Sequence, residues 1–492
     1  MDPRILIGLN NVLKLNNLGA IAVGTILGIA IGAMPGLSAT MGVALLIPVT
    51  FKVNPASGLC MLGAVYCGAV YGGSISAILL RTPGTPGNIP TSWDGYEMTK
   101  RGLAGKALGI STFSSFFGGI FSALALLVIA PPLAEFSLRF GPPERFLLAL
   151  FGITIIVSLS SASPIKGFIS GVLGMVLATT GIDLFVGDLR FTFNQLGLFD
   201  GIPELPSLIG LVSMSQAIIL IEKKSKTIQV IYGKVKDSLL PKVTDFKKIW
   251  STVLRSSIIG TIIGIIPGAG TTTASFISYD EAKRRSSRYD KDFGKGSIIA
   301  LSSSETANNA VTGGSLVPLL TLGIPGNAAS AVFLGGLLIH GLIPGPELFI
   351  KYGEITYTLM ISLFFSNIAL LIFGLLLAPF FIKVVKIETN ILCPLIIILS
   401  VVGSYAMRNS IFDVFLMFCF GIIGYIMEKN DFPNAPMILG IILGPIVESE
   451  LRRSLVIFRG SIFPIFTRPL SLLFIILIVY SFYISFRRIL HK

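Results

Sequence analysis

Two apolar runs of this chain are each broken by Pro-Gly in the same way. Gly260-Thr-Ile-Ile-Gly264-Ile-Ile-Pro267-Gly268-Ala-Gly270-Thr271-Thr272-Thr273 repeats Gly28-Ile-Ala-Ile-Gly32-Ala-Met-Pro35-Gly36-Leu-Ser38-Ala-Thr40, with the same offset of 232 from Gly32 to Gly264 and from Pro35 to Pro267. A second pair follows. Gly72-Gly73-Ser74 leading to Pro83-Gly84-Thr85 is echoed by Gly313-Gly314-Ser315 leading to Pro325-Gly326-Asn327, at 241 for the serines and 242 for the prolines, so the sequence alone reads one residue of slippage. Proline lacks the amide donor and clashes with the preceding turn, so none of these corners is a helix interior. The duplication implies two copies of one unit.

The medium around that unit follows from composition. Of 492 residues 53% are hydrophobic and 13% charged, with a mean hydropathy of +0.83, too few polar side chains to cover a water-soluble surface of this size. Crossing a bilayer takes about 20 mostly apolar residues, and on the order of a dozen segments qualify, which predicts an all-α polytopic membrane protein. The net charge of +13 sits largely in short loops and at the C-terminus, as the positive-inside rule expects, with no basic domain suited to nucleic acid. Cys60, Cys67, Cys393 and Cys419 lie in apolar surroundings without metal-ligand spacing and read as packing thiols. A cleaved signal peptide is not expected, because the first apolar run carries the repeated motif itself. No Walker A sequence, His-Glu-x-x-His or activated Ser/His pair is present, so no enzymatic activity is expected.

Charge then divides the chain. Residues 1–222 form a first membrane repeat. Residues 223–255 carry nine Lys/Arg and form a basic linker placed in the cytoplasm, and 256–492 hold the second repeat plus C-terminal helices. The exit of the Pro267 motif is basic too, at Lys283, Arg284, Arg285, Arg288, Lys291 and Lys295. Two flanks on one face favour a re-entrant hairpin tipped by Pro267-Gly268-Ala269-Gly270 over a simple span. Repeats of this kind are expected to be inverted, although loop charges alone do not decide it.

A backbone break at depth leaves amides and carbonyls unpaired, at several kcal/mol each unless protein, water or ligand satisfies them. Four Pro-Gly breaks are therefore expected to line one polar cavity, as in secondary transporters with discontinuous helices. Helix N-termini after the breaks favour carboxylate oxygens. The candidate substrate-binding residues are Pro35, Gly36, Ser38, Thr40, Pro83, Gly84, Thr85, Pro267, Gly268, Gly270, Thr271, Thr272, Pro325, Gly326 and Asn327. Their hydroxyls either meet a substrate or cap the following half-helices. Glu305, Asn308 and Asn309, spaced i, i+3, i+4, share one helical face and form a candidate ion-coupling set for Na⁺ or H⁺, against the alternative of a solvated helix end. Arg81 meets an anion or snorkels, His340 packs or relays protons, and Trp93 and Trp250 read as interfacial anchors.

Taken together, Gly28-x3-Gly32-x2-Pro35-Gly36-Leu37, Tyr71-Gly72-Gly73-Ser74 to Pro83-Gly84-Thr85-Pro86, Asp94-Gly95-Tyr96, Ile266-Pro267-Gly268-Ala269-Gly270, Glu305-x2-Asn308-Asn309-Ala310, Gly323-Ile324-Pro325-Gly326 and His340-Gly341-Leu342-x-Pro344-Gly345-Pro346 resemble the large membrane subunit of tripartite tricarboxylate transporters. The resemblance implies a permease in the cell membrane that works with a small membrane subunit and an extracytoplasmic solute-binding protein, importing carboxylates on an ion gradient. The chain departs from that pattern at Arg81, Thr271 and Ser303-Ser304, all at expected cavity tips. A channel with polar re-entrant tips is the rival reading. It fits less well because channels usually repeat identical tips, whereas Ser38-Ala39-Thr40 and Gly270-Thr271-Thr272 differ.

Overall fold

A computed structural model describes residues 3–34, 36–160, 163–183, 185–222, 237–286, 290–378, 380 and 389–490. Pro35, Arg288 and the linker lysines Lys223, Lys224, Lys226, Lys234 and Lys236 lie outside the described residues. The chain is an all-α polytopic membrane protein. Its first half runs through α1 (Pro3–Val12), α2 (Leu15–Ala33), α3 (Ala39–Thr50), α4 (Pro55–Leu80), α5 (Ile89–Lys100) and α6 (Ala104–Ser137). Then come α7 (Pro142–Ser160), α8 (Pro164–Ala178), a short hairpin of β1 (Gly181–Ile182) and β2 (Leu189–Arg190), and α9 (Glu204–Glu222). The second half repeats the opening order with α10 (Val243–Ile265), α11 (Gly270–Ser286), α12 (Ile298–Leu322), α13 (Ala328–Ile339), α14 (Pro346–Lys351) and α15 (Gly353–Leu376). The helices α16 (Thr389–Arg408), α17 (Ile411–Lys429), α18 (Asn434–Ile457) and α19 (Pro469–Leu490) follow. Because α10 begins at Val243, Lys247, Lys248 and Arg255 sit on a helix.

Among the described residues seven helices are long and apolar enough to cross a bilayer: α2, α4, α6, α9, α15, α17 and α18. Apolar α3, α8 and α13 are shorter. The central helix α12 is too polar to stand among them and is nonetheless buried from Ile299 to Thr321. Its hydroxyls explain how: Ser302, Ser303 and Thr312 donate back to carbonyls of their own helix, which hides their polarity inside protein.

Glycine sets the packing. In α2, a Cβ at Gly24 or Gly28 would fall 2.6 Å from the Met61 or Val65 carbonyl oxygen of α4, so the two backbones touch. The second half repeats this between α10 and α12. Gly260 faces the Ala307 carbonyl as Gly28 faces Val65, and Gly264 faces Val311 as Gly32 faces Ala69. These pairs put α12 at a uniform offset of 242 from α4, and the corner glycines Gly84 and Gly326 keep it by resting on the Gly32 and Gly264 carbonyls. The slippage read from sequence is therefore corrected. Gly72 corresponds to Gly314 and Gly73 to Ser315, because backbone contact and not side-chain identity sets the register.

The halves then exchange partners. Helix α6 of the first half packs on the central helix of the second and α15 of the second on that of the first: the Ser122 hydroxyl of α6 accepts from the Gly313 N–H of α12, and Leu363 of α15 lies against Gly63 of α4. Helices α4 and α12 cross antiparallel, Tyr66 meeting Ser315 at 2.9 Å and Cys67 meeting Thr312 at 3.7 Å. Since α2 runs parallel to α4 and α10 parallel to α12, the α2 and α10 corners reach the crossing from opposite ends. Helix α11 turns back along α10, pairing Ser278 with Ser256 at 2.8 Å and Glu281 with Arg255 at 3.2 Å.

Several side-chain expectations change. Trp93, expected as an interfacial anchor, is half-buried and packs edge-on against Phe276 and Tyr279 of α11. The loop after α11 is fastened by Asp94, whose buried carboxylate accepts from the Gly294, Gly296 and Ser297 amides and the Tyr279 hydroxyl. His340 packs beside Thr50, its Nε2 3.2 Å from the hydroxyl. Arg81 closes α4 in the left-handed region at φ +57° and lies exposed over the Tyr96 ring.

Candidate substrate and ion site

Glu305 sits near the middle of α12 with no exposure to solvent, which rules out the reading as a solvated helix end. Each carboxylate oxygen has its own donors. Asn88 Nδ2, from the turn before α5, reaches Oε1 at 3.1 Å, and the Thr91 hydroxyl donates to the same oxygen. Ser111 and Ser115, one turn apart on α6, reach Oε2 at 3.4 and 3.3 Å. The cradle continues outward, with Ser74 of α4 2.7 Å from Ser111 and Ser304 3.0 Å from Thr91. Among the described residues no cation pairs with Glu305. A buried carboxylate supported only by neutral donors is costly to keep ionised, which makes Glu305 a candidate for holding a cation or a proton.

One turn further along α12 the polarity is unmet. Asn308 and Asn309 are fully buried, and neither amide nitrogen nor either amide oxygen has a hydrogen-bond partner among the described residues. Each such group costs about 1–3 kcal/mol when left unpaired, so two whole amides in one turn is a large debt for a stable helix to carry.

The Pro-Gly corners close on this face. Within the second half the Gly268 N–H donates to the Gly326 carbonyl at 2.7 Å, and a Cβ on Gly270 would lie 3.7 Å from Asn327. Gly268 and Gly270 have φ of +80° and +64°, the left-handed region in which glycine is at home. Between halves, the Gly87 turn of the first meets Asn308 and Thr271 of the second: a Cβ there would sit 2.6 Å from Asn308 Oδ1 and 2.8 Å from Thr271 Oγ1. Asn327 caps α13 by accepting from the Ser330 N–H and donates to the Tyr66 hydroxyl at 2.7 Å.

A family model described as the tripartite tricarboxylate transporter TctA family matches residues 18–439, a span that includes both sets of corners and the Glu305 turn. The chain belongs to the TctA family. It is similar to an uncharacterised 52.8 kDa protein in the TAR-I ttuC′ 3′ region of Agrobacterium vitis, 36% identical over 449 residues that cover 91% of this chain and 89% of the relative. It is also similar to a protein in the TAR-II ttuC′ 3′ region of the same organism, 35% identical over 212 residues, 43% of this chain and 87% of the relative. No solved structure matches. TctA is a transporter family, and its tripartite assembly implies partner subunits and a solute-binding protein.

Not every residue proposed from sequence gathers at one point in this TctA chain. Gly84, Thr85, Gly268, Gly270, Thr271, Gly326, Asn327 and Asn308 belong to the interlocking corners, and Thr85 bonds Asn88 at 2.6 Å, one step from Glu305. Pro325 is buried there, and Pro83, Pro267 and Thr272 are half-buried. Gly36, Ser38 and Thr40 instead line a cavity of about 310 Å³ that also touches Ala328, Gln216 and Glu428. Ser38 caps α3, its hydroxyl oxygen accepting from the Met41 N–H at 3.2 Å. Sequence reasoning missed Asn88, Thr91, Ser111, Ser115 and Tyr66. A signal was there for the serines: Ser111, Thr112, Ser114 and Ser115 interrupt an otherwise apolar α6.

Proposed function

We propose that this protein is the large permease subunit of a binding-protein-dependent secondary transporter, driving the uptake of a tricarboxylate or related organic anion with an ion gradient. The observation that carries the reading is the crossing of α4 and α12. Beside it, the turn that follows the first half's corner reaches the buried Glu305 carboxylate and Asn308 and meets Thr271 of the second half's corner, with the buried, unpartnered amide of Asn309 on the same helix turn. Irregular backbone is tolerable at membrane depth only where it is buried in protein or lines a water-filled cavity. Glu305, Asn308 and Asn309 form the coupling set for Na⁺ or H⁺, and the corner residues bind the carboxylate.

The two halves are read as inverted repeats flanking the cytoplasmic linker, supported by the approach of α2 and α10 to the crossing from opposite ends. The cytoplasmic membrane is the location that the loop charges favour. A small membrane subunit and an extracytoplasmic binding protein complete the assembly. The test is uptake of labelled citrate into proteoliposomes holding all three components, with Na⁺ and proton gradients imposed separately. Accumulation under one gradient is expected; equilibration without accumulation under either would mean a channel.

A further inference from the structure

Two cavities approach one Pro-Gly corner from opposite sides. The larger, of about 390 Å³, is lined by Gly323 and Ile324, which lead into the Pro325-Gly326 corner, and by Leu334 of α13. The smaller, of about 310 Å³, touches Ala328, the residue after Asn327, together with Gly36 of the first half and Gln216 of α9. Both are in the size range of small-molecule sites. Pro325, Gly326 and Asn327 stand between them.

One face of α18 joins the two. Ala435 and Ile438 line the smaller cavity, and Ile442, Ile446, Glu450 and Arg453 the larger. Steps of three and four place all six on one helical stripe. From Ala435 to Arg453 the stripe runs about 27 Å, close to the roughly 30 Å of a bilayer's hydrocarbon core. Only the turn from Ile438 to Ile442, about 6 Å, divides the cavities along it. Both side chains are buried there, and Pro445 denies the Ile441 carbonyl its helical donor, which weakens α18 beside that turn.

The ends of the stripe face different sides of the membrane. Gln216 lies toward the end of α9 that leads into the basic linker, which puts the smaller cavity on the cytoplasmic side. The larger reaches the other end of α18, beside Arg145 of α7. Glu450 takes Arg453 at 3.1 Å and Glu347 takes Lys351 at 2.9 Å, so among the described residues Arg145 is the cation of this mouth left without a salt bridge.

We infer that the substrate's route across the membrane follows this face of α18 past the Pro325 corner, in by the cavity at Arg145 and out by the one at Gln216, with the turn from Ile438 to Ile442 as the barrier. What moves, a carboxylate, rests on the uptake reading above. The course of the route does not.

The test uses the full-length protein in cells that also make the small membrane subunit and the binding protein. The probe is the membrane-impermeant anion 2-sulfonatoethyl methanethiosulfonate, which needs a thiolate and therefore water at the cysteine. Ile446→Cys, on a side chain 39% exposed, is expected to be labelled from outside in whole cells, and Ala435→Cys, at a half-buried position, from inside in inverted vesicles. Ile422→Cys on α17, 53% exposed at a lipid-facing position, is expected to stay unlabelled. Labelled Ile446→Cys is expected to take up citrate about 10-fold more slowly or worse, because a fixed negative charge in the route repels the anion. Labelling no faster than at Ile422→Cys would mean grooves filled by lipid and overturns the inference, as does labelling of Ile446→Cys that leaves citrate uptake unchanged. Wild-type cells that take up none of citrate, tartrate and succinate would instead overturn the carboxylate reading, and labelling from the two sides would still decide the route.

Discussion

Glu305→Gln tests how an ion and an anion are coupled in this fold. Glu305 and Asn308 are three positions apart on α12, which puts their side chains about 5–6 Å apart. With an effective dielectric of about 20, an ionised Glu305 and a substrate carboxylate held at the corners about one helical turn away repel by about 3 kcal/mol. That is about 10²-fold in affinity. Substrate therefore binds tightly only when Glu305 is neutralised by its cation or proton, which is the thermodynamic requirement for symport. Glutamine keeps an acceptor toward Asn88 and Thr91 and turns an amide toward Ser111 and Ser115, whose oxygens accept, so the cradle survives. The variant is expected to bind citrate with the affinity of cation-saturated wild type, independent of Na⁺ and pH. It should exchange labelled for unlabelled citrate in proteoliposomes and fail to accumulate it. Calorimetry across a Na⁺ series and a pH series reads the first effect, counterflow against net uptake the second. If Glu305→Gln keeps the cation dependence of wild type, the electrostatic coupling argument is wrong.

Other expectations concern the scaffold. Gly326→Ala would drive a Cβ to within 2.6 Å of the Gly264 carbonyl oxygen and 2.7 Å of Ser315, an overpacking cost of about 1–3 kcal/mol. It should lower the unfolding temperature and reduce uptake together. Ser38→Ala removes the α3 cap at about 1 kcal/mol, and because Ser38 lines the cavity beside Gln216 and Glu428 and not the Glu305 turn, citrate affinity should be unchanged in titration calorimetry. Asp94→Ala strands three backbone amides and the Tyr279 hydroxyl. A loss of at least about 3 kcal/mol is expected, read as a large fall in melting temperature and proteolytic cutting in the 290–297 loop.

What the sequence determined by itself was the medium, the duplication and the breaks. Mean hydropathy requires a bilayer, the Pro-Gly corners require interrupted helices, and the i, i+3, i+4 spacing puts Glu305, Asn308 and Asn309 on one face, because each follows from local covalent geometry or bulk composition. Tertiary structure decided the rest. It turned Glu305 from a residue with two readings into a buried carboxylate, since the donors that make burial tolerable come from α5, the turn before it and α6, about 190 to 220 residues away in the chain. It moved the register from 241 to 242, because glycine contacts are made by backbone and leave no trace in side-chain matching. It also separated two corners that look alike in sequence: Ser38 satisfies its own helix, while Thr271 faces an unpartnered amide. Whether a polar group is paired depends on what lies opposite, and only the folded chain supplies that.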